Sequence, residues 1–127
     1  MSGMTENESE KQFLELKDFA RMALDEASEA LGSDIALLDL RGISQFVDFF
    51  VIASGETARH LDSMADDVVR ALRNNGLRVH HREGTGAGGW VLLDFSGLVV
   101  HLFSRSTREF YGLEDLWARA PEIVRVQ

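Results

Sequence analysis

Residues 90 to 103, WVLLDFSGLVVHLF, are two apolar runs joined by Ser96-Gly97, and no other stretch restricts the fold as tightly. Apolar strands broken by a turn dipeptide are the pattern of a tight β-hairpin. With Ser96 and Gly97 as a two-residue turn, Phe95 faces Leu98, Asp94 faces Val99 and Leu92 faces His101. One side of the hairpin is then Val91, Leu93, Phe95, Leu98, Val100 and Leu102, wholly apolar and suited to packing against helices. The other carries Trp90, Leu92, Asp94, Val99, His101 and Phe103, with Asp94 and His101 on a diagonal of roughly 7–8 Å.

This second side is neither a core face nor a solvated one. Large apolar groups with a few polar ones suit a protein-binding patch, in which aromatics anchor and Asp and His set register. A second packed layer with an Asp94–His101 hydrogen bond fits the same pattern, so both readings stand.

Around the hairpin, the spacing of Phe13, Leu16, Ala20, Ala23, Leu24, Ala27 and Leu31 predicts an amphipathic helix over 11–31, with Gly32 at its C′ position. Residues 35–40 and 46–53 read as strands, the second buried on both faces. Leu61, Met64, Ala65, Val68, Val69 and Leu72 mark a second helix that ends near Asn74-Asn75-Gly76. Residues 77–82 predict a strand, EGTGAGG a flexible loop, and STREFYGLEDLW one or two helical turns. The order α-β-β-α-β-β-β-α implies a single α/β domain with a mixed sheet of about five strands packed by helices. Its expected boundaries are a disordered tail at 1–10, the domain at 11–119 and a C-terminal tail at 120–127.

Composition narrows the function. A chain of 127 residues with 45% hydrophobic side chains supports one core, and the absence of cysteine removes thiol chemistry. No basic and apolar leader opens the chain and no run is long enough to span a bilayer, so a cytoplasmic protein without membrane contact is expected. A net charge of -8 disfavours nucleic-acid backbones, DNA included, and favours a basic protein partner.

No catalytic pattern stands out. Asp94 and His101 lack a nucleophile on a G-x-S-x-G elbow, and Ser54, between a strand and a helix, reads as a local cap. His80 and His81 are adjacent on a strand and point to opposite faces, which argues against one shared metal ion. GTGAGG lacks the Lys-Ser/Thr and the helix of a P-loop. No Asp-x-Asp pair follows the Ser54-Gly55 turn to hold magnesium, so neither metal nor cofactor is expected.

Asp48-Phe-Phe-Val-Ile-Ala-Ser-Gly55, the helix through His60, Glu83-Gly84, Trp90-Val-Leu-Leu-Asp94, Val99-Val-His101 and Phe110-Tyr-Gly-Leu-Glu-Asp-Leu-Trp117 follow one another from about residue 13 to 117. In this combination the chain resembles the ribosomal silencing factor family, RsfS or Iojap. The resemblance implies a nucleotidyltransferase-like α/β fold without catalysis, a homodimer in the free state, and binding to ribosomal protein number fourteen of the large subunit. A protein seated there blocks the small subunit from joining and represses translation. By the same resemblance Trp90 is the apolar anchor, Asp94 the partner of a basic side chain and His101 the neighbour that orients it. Tyr111, Leu116 and Trp117 match the C-terminal motif and either flank that surface or complete the core. Two positions depart from the family pattern: Ser96-Gly97 replaces Gly-Asp in the turn, and Thr57 and His60 replace Ser and Gln after Ser-Gly. The competing reading is a nucleotide-binding or nucleotidyltransferase-like enzyme that uses the helix N-terminus after Ser54-Gly55 as an anion site.

Overall fold

A computed structural model describes residues 14–127, so the expected tail at 1–10 and the start of the first helix lie outside the described residues. Helix α1 spans Leu16–Glu29, and the Glu15 backbone N–H donates to the Asp18 carboxylate at its start. Its end differs from expectation. Leu31, not Gly32, takes the left-handed C′ position (φ 65°), while the N–H groups of Leu31 and Gly32 bond to the carbonyls of Ser28 and Ala27. A Cβ on Gly32 would sit 2.8 Å from the Ala27 oxygen, so the glycine is used for close approach to the helix.

Strands β1 (Ser33–Asp39) and β2 (Phe49–Gly55) follow, then helix α2 (Ala58–Asn74), whose first turn is capped by Thr57 accepting from the His60 N–H at 3.0 Å. All seven residues of β2 are buried, as its unbroken apolar run predicts, but the strand starts at Phe49 and leaves Phe46 exposed in the preceding loop. The third strand is shorter than expected: β3 is His81–Glu83 alone, with Leu77 and Val79 packing on the core from irregular chain. Strands β4 (Trp90–Asp94) and β5 (Leu98–Ser104) form the hairpin, and helices α3 (Arg105–Tyr111) and α4 (Leu113–Leu116) are the short turns.

A sixth strand, β6 (Glu122–Val126), corrects the count of five and the expected C-terminal tail: it pairs antiparallel with β1. Its alternation is weak, with charged Glu122 and Arg125 interrupting a half-buried edge, so no strand signal stood out after Pro121. The sheet order is β3-β4-β5-β2-β1-β6. Every neighbouring pair is antiparallel except β2 and β5, which run parallel from Phe49–Leu98 to Gly55–Ser104.

The two faces are covered differently. Helices α1 and α2 bury one face, contributing Phe19, Leu24, Leu61, Met64 and Leu72 to a core completed by Val91, Leu93, Phe95, Leu98, Val100 and Leu102 of the hairpin. The opposite face carries a smaller cluster around Phe50, Ile52 and Phe103, covered among the described residues by the 40–48 segment and the short α3–α4 region.

The glycine-rich loop is a structured element where a flexible one was expected. Residues Gly86–Gly88 form a 3-10 turn, and the Gly86 N–H donates to the Asp62 carboxylate of α2 at 2.7 Å. A Cβ on Gly86 would overlap the Ala58 carbonyl, a backbone group that cannot swing aside. Gly86→Ala is therefore expected to destabilise the protein by about 1–3 kcal/mol or more in urea unfolding, whereas Ala at Gly42, which touches nothing, should cost only its backbone strain.

Candidate functional site

The hairpin forms in the expected register: Asp94 lies opposite Val99, Leu92 opposite His101 and Trp90 opposite Phe103. Ser96 and Gly97 both take positive φ (63° and 97°), the signature of a type I′ turn, and Phe95 N–H bonds the Leu98 carbonyl at 2.8 Å. The apolar side of the hairpin faces the two long helices, which leaves Trp90, Leu92, Asp94, Val99, His101 and Phe103 on the thinly covered face.

Trp90 sits at the centre of that face. Its ring lies 4.9 Å from Phe103 and 4.6 Å from Tyr111, and its indole N–H donates to His101 Nδ1 at 3.2 Å. Below it, His101 meets Phe50 edge to face at 4.6 Å, and Phe50 in turn meets Trp117 at 5.8 Å. Four of the six predicted residues, Tyr111, Trp90, His101 and Trp117, thus belong to one aromatic chain, with Phe50 linking the last two. Leu116 stands at its border, 73% exposed.

Asp94 is placed on the same face but does not contact His101 as the diagonal suggested. Its Oδ1 accepts from the Ser96 N–H at 2.8 Å, a local turn bond that a short carboxylate reaches more easily than the next strand. Trp90, on the other diagonal and with a longer side chain, takes the imidazole instead. On the outer flank His81 stands opposite Asp94 in the β3–β4 ladder and pairs with Glu83 at 2.9 Å.

The tautomer of His101 follows from its partner. An indole N–H only donates, so Nδ1 is the bare acceptor and the proton is on Nε2, which is buried with no hydrogen-bond partner among the described residues. Desolvation pushes the imidazole pKa down from 6.5 to about 4. With one nitrogen bonded to Trp90 and the other sealed under the aromatic layer, His101 is not arranged to act as a general base.

The helix N-terminus offers little to an anion. The Glu56 N–H is taken by His60 Nδ1 at 3.0 Å and the His60 N–H by Thr57, while Ser54 is buried and accepts from Arg108 Nη1 at 2.8 Å. A groove of about 730 Å³ nearby is walled by Asp34, Glu109, Glu114 and Asp115 against Arg105 and Arg108, a balance that opposes a polyphosphate. Among the described residues no cluster of three His, Cys, Asp or Glu side chains has the geometry to hold a metal ion, and no helix is long and apolar enough to cross a membrane.

Two groups escaped the sequence reading. Phe50 joins the face only because β2 lies parallel to β5, a pairing that no local pattern signals. Glu114 accepts from Arg108 Nε at 2.9 Å and Arg125 Nη2 at 2.6 Å, and Arg125 also pairs with Asp34 and Glu122. Burial alone would raise the Glu114 carboxyl, but the two arginines outweigh it and hold it below its ordinary value. This network fastens α4, and with it Leu116 and Trp117, to the β1–β6 edge.

The chain is a single α/β domain whose six-stranded mixed sheet has one helix-packed face and one aromatic face of largely engaged polar groups. A family model described as "Ribosomal silencing factor during starvation" matches residues 14–127. The ribosomal silencing factor RsfS of Bacillus subtilis is 33% identical over 105 residues, covering 83% of this chain and 89% of that protein. A crystal structure of a Chromobacterium violaceum protein superimposes with a TM-score of 0.79 at 28% identity, covering 83% of this chain and 88% of the other. The mouse mitochondrial assembly of ribosomal large subunit protein 1 is 36% identical over 87 residues, though these are 38% of its length. The chain belongs to the ribosomal silencing factor family, and its role is ribosome-associated translation regulation.

The His101 environment gives a pH signature. A depressed folded pKa means that the unfolded chain binds the proton more readily, so the contribution is complete above about pH 6.5 and is lost as pH falls toward 4. The shift from 6.5 to about 4 corresponds to roughly 3 kcal/mol. In urea titrations at a series of pH values, the gap in stability between wild type and His101→Phe should narrow by an amount of that order across this window; a constant gap would show that His101 is not held neutral by the fold.

Proposed function

We propose that the aromatic face docks on the large ribosomal subunit through its ribosomal protein number fourteen and sterically prevents the small subunit from joining. The protein is then a translational repressor that acts in the cytoplasm by occupancy, without catalysis, and closes into a homodimer when free. The observation that carries this reading is the face itself: Tyr111, Trp90 and Trp117 are joined through buried His101 and Phe50 into one aromatic cluster, with Tyr111 and Leu116 exposed. Central aromatics with a polar rim are the anatomy of a hot-spot interface.

Family membership supplies the ribosomal context, and the charge agrees with it. Asp94 and Glu83 line the rim on the β3 side, where a basic protein surface finds its counter-charges. Asp94 spends one oxygen on the Ser96 turn and keeps the other for a partner's cation. In the repressor Trp90 is the anchor, Leu116 and Tyr111 extend the contact, and Trp117 supports them through Phe50.

The test is sedimentation of purified small and large subunits under associating magnesium, with wild type, Trp90→Glu and Leu116→Glu. Trp90 is half-buried and its replacement disturbs packing, whereas Leu116 is exposed, so circular dichroism should find Leu116→Glu fully folded. Wild type is expected to travel with the large subunit and block association, and each variant to lose about 2 kcal/mol or more of binding. If wild type binds and the folded Leu116→Glu binds equally well, the α4 border is not part of the contact. If wild type binds neither subunit, the docking reading fails.

A further inference from the structure

The net charge of -8 conceals a segment of opposite sign. Residues 68–82, VVRALRNNGLRVHHR, hold four of the chain's 13 Lys and Arg, two of its four His and none of its 21 Asp and Glu. They form the second half of α2, the bend after it and the approach to β3, and Arg70, Arg73, Arg78, His80, His81 and Arg82 are all exposed. Two of these arginines are partly neutralised: Arg82 pairs with Asp66 at 2.8 Å and Arg70 with Asp67 at 3.4 Å. Arg73 and Arg78 have no carboxylate partner among the described residues.

The bend sets these two apart on either side of Asn74-Asn75-Gly76. Leu77 N–H closes back on the Leu72 carbonyl at 2.9 Å and Gly76 N–H on the Arg73 carbonyl at 3.1 Å, so the loop is short and fixed. The patch lies at the β3 edge of the sheet, and β3 borders β4, the strand of Trp90, Leu92 and Asp94. His81, at the end of the basic run, stands directly opposite Asp94. Basic edge and aromatic face are therefore adjoining surfaces.

We infer that the basic edge contacts the RNA phosphate backbone of the large ribosomal subunit beside the protein-docking face, with Arg73 and Arg78 as the principal phosphate ligands; this rests on the docking proposed above. A guanidinium fork matches a phosphate's oxygens in geometry and stays charged at any working pH. At physiological ionic strength charges act over about 8 Å, and with Asp66 and Asp67 engaged by Arg82 and Arg70, it is Arg73 and Arg78 that add the positive charge a phosphate meets there. The rest of the surface repels RNA, and that contrast orients the approaching protein with its basic edge inward. A ribosomal subunit presents far more phosphate than carboxylate, which decides between the two anions that a guanidinium accepts.

The experiment measures affinity of the full chain for purified large subunits between about 50 and 200 mM salt, for wild type and the Arg73→Gln/Arg78→Gln variant. Both side chains are exposed, so the variant should keep the wild-type circular dichroism spectrum. The expected result is weaker binding at low salt and a plot of log affinity against log salt shallower by about 1–2, with affinity for isolated ribosomal protein number fourteen unchanged. An unchanged slope on the large subunit overturns the inference while leaving the docking reading intact. Equal loss on the isolated ribosomal protein overturns it too, because the arginines would then be meeting protein carboxylates. Failure of wild type to bind the large subunit at all would remove both.

Discussion

Strand β2 meets β5 in parallel along its whole length, from Phe49–Leu98 to Gly55–Ser104, and the rest of the structure depends on that pairing. Parallel neighbours cannot be joined by a tight turn, so the chain must leave the sheet at Gly55, cross one face as α2 and re-enter by way of β3 and β4. The crossover commits α2 to the face where α1 already lies, and that face becomes the main core. Among the described residues the other face receives no long helix. It is left to the 40–48 segment and the turns after β5, which are too small to bury it fully.

A half-covered sheet face needs side chains that tolerate both contact and exposure, and aromatics meet that need. Trp90 packs against Phe103 and Tyr111 yet remains partly open, and its single polar atom is satisfied by His101. His101 in turn is stable there only as the neutral imidazole, because a proton on Nδ1 would set two donors against each other and put a charge among aromatic rings. The same packing that makes the histidine chemically quiet makes the tryptophan rigid. A rigid aromatic loses little side-chain freedom when a partner covers it, which is what a docking anchor requires.

The parts of this arrangement that are periodic were legible in the sequence. The hairpin register, the two faces of β4 and β5 and the α2 stripe follow from spacing of period 2 or 3.6, and the burial of β2 on both faces follows from its unbroken apolar run. What was hidden depends on contacts far apart in the chain. Phe50 reaches the aromatic face through a parallel pairing, and β6 is a strand through its antiparallel ladder with distant β1, an edge that Arg125 also ties to Asp34 and Glu114. The Asp94–His101 pair failed for a different reason. A diagonal across a ladder fixes only which side chains are near, and the turn N–H of Ser96 and the longer reach of Trp90 decided the partners.

Charge shows the same division between average and place. A total of -8 describes how the whole protein repels polyanions at long range, but within a Debye length only the neighbouring groups count. Acidic side chains of α2 are spent on Arg70 and Arg82, at the two ends of the basic run, while Arg73 and Arg78, on either side of the bend, have no such partner among the described residues. At the opposite edge of the sheet the pattern reverses: Arg125 and Arg108 are held by carboxylates and serve the fold. Arginines that brace an edge and arginines left unpaired beside an aromatic face are the same residue type in the composition. Their difference lies in whether the folded chain brings a carboxylate within reach, and among the described residues it brings none to Arg73 or Arg78.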